Sequence, residues 1–159
     1  METTAVIKPK KTLSFVSSRL IKEKSIRYAP EITCSDDAIE CVKEYLSGYD
    51  REIFGALHMS IRGKVNNASI ISIGTMTSTE AHPREIFRSA ILSGAAAMIV
   101  FHTHPSGDVT PSEEDVKTTE RICRAGDLIG IKVLDHVILS DDDSFSLRSD
   151  GKYRDIFTY

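Results

Sequence analysis

Apolar residues in this chain recur in two rhythms, and the changes of rhythm mark the elements. "SDDAIECVKEYL" sets Ala38, Ile39, Val42 and Leu46 three or four apart, behind a serine and two acids. That spacing predicts an amphipathic helix capped by Ser35, with Gly48 placed to stop it. "EIFGALHMSI" (52–61) and "ASIISIGTM" (68–76) read as strands on either side of the turn "GKVNN", an antiparallel hairpin. "HPREIFRSAILSG" returns to helical spacing, with Pro83 at its start and Gly94 past its end. "AAAMIVF" (95–101) is a short unbroken apolar run, as expected of a strand covered on both faces. A second strong helix start follows in "DVTPSEEDV": Thr110 as cap, Pro111 as first helical residue, Glu113 as capping-box partner. Val116, Thr119, Ile122, Cys123 and Gly126 continue it at helical spacing, and "IKVLDHVILS" and "SFSLRS" predict a closing pair of strands. Residues 12–28 carry some β character without a clear period. The order β, α, β, β, α, β, α, β, β predicts a mixed α/β fold, with a partly antiparallel central sheet flanked by helices.

Length and composition narrow the class. At 159 residues the chain fits one domain. No apolar run approaches the roughly 18–20 residues of a membrane span. "METTAVIKPKK" has no apolar stretch behind its charges, so neither a membrane nor a secretory route is expected. The three cysteines, Cys34, Cys41 and Cys123, are odd in number and form no C-x-x-C pair. Free, buried thiols in a reducing cytoplasm are the expectation. Residues 1–27 carry seven basic residues against two acidic ones, a net +5, which leaves −8 of the overall −3 for the rest. This divides the chain into a basic, partly flexible arm (1–27) and an acidic domain (28–159). An acidic body lacks the clustered cations that phosphate binding needs, so direct nucleic-acid binding is not expected.

The chemistry concentrates where the central apolar run ends. His102 and His104 are two apart, so in a strand they point to the same face. After "PSGDVTP" reverses the chain, a helix opens with Asp115 in its first turns. Two imidazoles and one carboxylate make a three-ligand set that leaves a tetrahedral ion one open position, the pattern of catalytic zinc. The other histidines have blander readings. His82 reads as a residue preceding a helix, His58 as a surface strand residue, and His136 as a satisfied core histidine or, with Asp135, as a support to the site. Asp141, Asp142 and Asp143 read as a turn, since the ligand spacing of a calcium loop is missing.

"HTHPSGDVTPSEED" resembles the zinc motif of the JAMM (JAB/MPN) metallopeptidases: H-[ST]-H-P, six residues, S-x-x-D. "HPREIFRSAI", "AGDLIGI" and "LDHVIL" look like the RadC branch of that family, over residues 30 to 150. The resemblance implies the JAB/MPN fold, related to cytidine deaminases. It also implies one zinc ion held by His102, His104 and Asp115, with Glu52 of "REIFGAL" as the catalytic base and Ser112 as the oxyanion donor. Glu44, Glu80 and Glu85 compete with Glu52 for the base. Thr103 follows the general JAMM pattern, whereas RadC-type proteins often carry Asn there. Residues 1–30 are too short for the helix-hairpin-helix region of long RadC proteins, so a short form is expected.

The function so implied is hydrolysis of a peptide or isopeptide bond through a metal-activated water. The substrate would be a protein or peptide, a conjugated protein where the bond is an isopeptide, and the chain is compatible with a homodimer. Two alternatives stand beside it: a catalytically silent binding or scaffold module, and a DNA-repair-associated RadC-like protein. Zinc deaminases need H-x-E and P-C-x-x-C, and neither occurs here.

Overall fold

The computed structural model describes residues 17–23, 25, 32, 34–46, 49, 51–74 and 82–157. The elements run α1 (Ser35–Leu46), β1 (Ile53–Met59), β2 (Val65–Ile73), α2 (Pro83–Leu92), β3 (Ala97–Thr103), α3 (Glu113–Ile129), β4 (Lys132–Leu139), β5 (Ser144–Ser146) and a 3-10 turn (Arg154–Phe157). Five strands form one sheet in the order β2-β1-β3-β4-β5. β3 runs antiparallel to β1 and parallel to β4, and the remaining pairs are antiparallel. The mixed, helix-flanked sheet is the architecture that the sequence predicts.

Strand alternation sorts the core into two layers. Phe54 and Ala56 of β1, Met98 and Val100 of β3, and Ile138 of β4 pack with Ile86 and Phe87 of α2 and Ile122 of α3. Ile53, Leu57 and Met59 of β1, Ile99 and Phe101 of β3, and Val137 and Leu139 of β4 pack with Ala38, Cys41, Val42 and Leu46 of α1. β3 is therefore covered on both faces, as its unbroken apolar run requires. Each large apolar side chain buried this way contributes about 1.5–3 kcal/mol. Gly55 permits the close packing on the α1 side: a Cβ there would lie 2.3 Å from the Phe101 ring and 2.8 Å from the Ser69 carbonyl.

Several local expectations are corrected. The hairpin turn is Ser60–Lys64, not "GKVNN": Ser60 N–H donates to Lys64 O at 2.8 Å, and β2 already begins at Val65. His58 is not a surface residue but has no exposure at all. It lies on the α2-facing side with Phe54 and Ala56, between Asn67 and Ser89. Cys34 is exposed, whereas Cys41 and Cys123 are buried. Residues 17–23 are irregular and exposed. The other expectations for the arm, the Ser35 cap, Gly48, Glu44 and Glu80 fall outside the described residues or side chains.

The start of α3 also differs. Ser112, not Thr110, is its cap, in a reciprocal capping box with Asp115. Thr110 N–H is already taken by the Asp108 carboxylate at 2.9 Å, so the loop turns at Asp108 and the helix opens two residues later than expected.

Candidate metal centre

β3 carries His102 to the C-terminal rim of the sheet, and His104 follows just past the strand. The His104 N–H donates to Leu139 O at 2.7 Å, which keeps the chain beside β4. The loop then curls back. Gly107 takes a φ of +88°, a conformation that strains residues with a Cβ. Its N–H donates to His104 O at 3.1 Å. The His104 ring is clamped by the same loop, since Nδ1–H donates to Asp108 O at 2.6 Å. A carbonyl can only accept, so neutral His104 carries its proton on Nδ1 and presents a bare Nε2.

The first turn of α3 brings Asp115 over the strand end. Its Oδ2 accepts from Ser112 N–H at 2.8 Å and from Ser112 Oγ–H at 2.6 Å, while Asp115 N–H donates back to Ser112 Oγ at 3.1 Å. These bonds fix the carboxylate's rotamer as well as the helix start. Oδ1 lies 3.4 Å from His102 Nε2, and Oδ2 lies 3.8 Å from His104 Nε2. The two Nε2 atoms are 2.8 Å apart.

Among the described residues, His102, His104 and Asp115 form one group whose ligand atoms all lie within 4.8 Å of one another. A tetrahedral ion with bonds of roughly 2.0–2.1 Å holds its donors about 3.4 Å apart, a separation within the observed spread. The protonation states fit as well. Burial holds the His102 pKa down to about 4, against the pull of Asp115 and with the help of His104. His102 is thus neutral near pH 7, so its approach to Asp115 is not an ion pair, and it can offer a lone pair to a cation. The set is able to hold one metal ion.

The domain can now be placed. The RadC-like JAB domain model matches residues 32–152. The chain belongs to that family. It is 48% identical over 120 residues to a UPF0758 protein of Desulforamulus reducens, covering 76% of this chain and 53% of that protein. It is 40% identical over 126 residues to a UPF0758 protein of Desulforudis audaxviator, covering 79% and 55%. A third UPF0758 protein, from Shouchella clausii, is 37% identical over 138 residues, covering 87% and 60%. The chain spans about half the length of the first two of these relatives.

Within this RadC-like JAB domain the other expected residues sit as follows. Glu52 immediately precedes β1, half-buried, and its carbonyl accepts from Gly74 N–H at 2.9 Å. Phe54 pairs with His102 in the β1–β3 ladder. Glu52 directly precedes the first residue of β1 and shares the sequence parity of Phe54. Ser112 touches Asp115, as above. Glu85 lies exposed on α2, where it pairs with Arg84 and Arg88. His82 caps α2, its Nδ1 accepting from Arg84 N–H at 3.2 Å.

Two further contacts support the site. Thr103, between the two histidines, accepts from Ile53 N–H at 2.9 Å and donates to Arg51 O at 3.2 Å, bracketing the backbone of Glu52. His136, fully buried on β4, sets its Nε2 2.8 Å from His102 Nδ1. Asp135 meets His136 at its backbone and not at its ring: Asp135 Oδ1 accepts from His136 N–H at 2.7 Å. The same carboxylate accepts from Ser146 Oγ–H at 2.7 Å and Arg148 N–H at 3.0 Å, tying down the turn around β5. No helix of the described residues is long and apolar enough to cross a membrane.

Proposed function

We propose that this RadC-like JAB domain is a zinc-dependent hydrolase that cleaves a peptide or isopeptide bond in a protein or peptide substrate. The observation that carries the reading is the convergence of His102, His104 and Asp115 at the rim of the sheet. Two nitrogens and one oxygen suit zinc, and three protein ligands leave one position open. When bound, the ion supplies Lewis-acid polarisation and lowers the pKa of water to about 7. Glu52, just before β1, takes the proton from the attacking water and returns it to the leaving amine. Ser112 holds the Asp115 carboxylate, and its hydroxyl turns to the developing oxyanion as charge builds there. A scaffold role has no use for an intact ligand set, which favours hydrolysis over the silent alternative.

Zinc content and cleavage test this together. The protein purified without chelator is expected to carry one zinc per chain and to cut members of a mixed library of peptides and lysine-linked conjugates. The Glu52→Gln variant is expected to keep its zinc and to lose about 10²–10⁴-fold in rate. A wild-type protein that takes up no zinc, or a Glu52→Gln variant as active as wild type, contradicts the proposal.

A further inference from the structure

His102 ends in a chain of buried hydrogen bonds that leads back to its fellow ligand. His102 Nδ1 lies 2.8 Å from His136 Nε2, and His136 Nδ1 lies 2.6 Å from Thr119 Oγ1. Thr119 Oγ1–H donates to the backbone carbonyl of Asp115 at 2.6 Å. Thr119 and both rings have no solvent exposure, so water cannot exchange into the chain as a substitute partner.

The chain has one direction because its last member cannot donate. The Asp115 carbonyl accepts, so the Thr119 hydroxyl spends its proton there. Thr119 Oγ1 must then accept from His136 Nδ1–H. His136 has no solvent exposure, which disfavours a charged ring, and a neutral ring has one proton only. That proton is on Nδ1, and Nε2 is bare. His102 Nδ1 must therefore be the donor between the rings, and His102 Nε2 is left without a proton. Phe54 stacks over His102 at 6.3 Å and meets His136 edge-on at 5.7 Å, so neither ring is free to turn away.

We infer that Thr119 and His136 are positioning residues that set the tautomer of His102, holding its proton on Nδ1 so that Nε2 stays open to a metal ion. The inference rests on the metal-centre reading above and deepens it. His104 reaches the same tautomer by a separate route, through Asp108 O. With both rings in this tautomer the two Nε2 atoms meet at 2.8 Å with no proton between them, so their contact is a place for a cation and not a hydrogen bond. A solvated neutral histidine side chain favours the proton on Nε2, the opposite arrangement. The relay also ties three elements together, since it runs from β3 through β4 to the first two turns of α3. A change at Thr119 reaches both His102 and the backbone of Asp115.

The test uses the full chain labelled with ¹⁵N, first metal-free and then titrated with Zn²⁺ alone. Long-range proton–nitrogen correlation spectra report the tautomer of each ring. In the metal-free wild type, His102 and His136 are both expected to carry the proton on Nδ1. The Thr119→Val variant keeps the shape and loses the acceptor. It is expected to show a mixed or reversed tautomer at these rings and a Zn²⁺ affinity lower by about 10–100-fold. Thr119→Ser restores the hydroxyl and is expected to restore both readouts, which a purely steric role for Thr119 would not produce. His136→Gln keeps one acceptor and one donor, and serves if the valine variant fails to fold: it is expected to retain more Zn²⁺ affinity than His136→Leu. A wild-type His102 protonated on Nε2 overturns the inference, as does a Thr119→Val variant with unchanged tautomers and unchanged affinity. A wild type that binds no Zn²⁺ overturns the metal centre instead. The relay is then decided by the metal-free tautomers, Nδ1–H at both rings supporting it and Nε2–H at His102 overturning it.

Discussion

Two fully buried histidines stand on the same face of the sheet, at opposite ends of the β1–β3 ladder, and they differ in what their second nitrogen does. His58 is saturated by its own fold: Nδ1 meets Asn67 Oδ1 at 2.6 Å, and Nε2 meets Ser89 Oγ at 3.2 Å. His102 spends Nδ1 on His136 and turns Nε2 toward His104 Nε2 and Asp115 Oδ1. Both are dry and both are held neutral by burial. Burial alone therefore does not mark a site. A site is marked by a buried nitrogen whose neighbours are other potential ligands rather than partners that complete its hydrogen bonding.

The comparison breaks first at the ligands. His104→Ala is expected to take the zinc content from one per chain to none, measured by elemental analysis after dialysis. The His58→Ala variant is expected to keep full zinc. Zinc at about 100 times its dissociation constant should stabilise the wild type by about 2.7 kcal/mol, and this increment should vanish in His104→Ala. Equal zinc loss in both variants would erase the distinction between the two regions.

The second prediction reverses the roles. His58→Ala opens a cavity and leaves the polar groups of Asn67 and Ser89 to find new partners, so it is expected to cost about 2–4 kcal/mol in chemical denaturation. His104 is partly exposed, and its replacement by Ala in the metal-free protein is expected to cost less than that. A metal-free His104→Ala variant less stable than His58→Ala would mean that the rim histidine is structural.

Acid should affect both regions in one direction. Burial lowers the pKa of His58 and His136 below the ordinary 6.5 and holds His102 at about 4. The unfolded chain therefore binds more protons than the folded one across that interval. The stability these groups contribute to the metal-free protein is complete above about pH 6.5 and is lost as the pH falls toward 4. Denaturation midpoints at pH 7 and pH 5 measure this, and a midpoint that rises at pH 5 would contradict it.

The smallest effect is expected at Ser112. Ser112→Ala removes a helix cap and one of the two bonds to Asp115 Oδ2, at a cost of about 1 kcal/mol in stability. Zinc affinity should fall as well, because the ligand carboxylate is less firmly held. A loss of stability without any change in affinity would make Ser112 a cap alone.

The order of strands and helices was legible because each element has a clear period and punctuation: the unbroken run of β3, Pro83 and Gly94 around α2, and the alternating hairpin. The ligand set was legible because two of its members share a strand face and the third opens the next helix. The misses have local causes. "TPSEED" contains two overlapping capping boxes, Thr110 with Glu113 and Ser112 with Asp115. Only the turn at Asp108, which occupies Thr110 N–H, decides between them. His58 was within reach, since it shares strand parity with Phe54 and Ala56. His136 was not. Strict alternation from Val133 would send it to the α1 side, but the ladder slips between Val133 and Asp135 and sets His136 opposite Val100, on the face of the metal centre. Its partner Thr119 lies on a different element, and no local pattern links the two.

X-ray absorption at the zinc edge of the loaded protein tests the central claim most directly. The account predicts a first shell of two imidazole nitrogens and oxygens at roughly 2.0–2.1 Å, with no sulfur. A zinc–sulfur distance of about 2.3 Å, or a first shell unchanged in the His104→Ala variant, would contradict it.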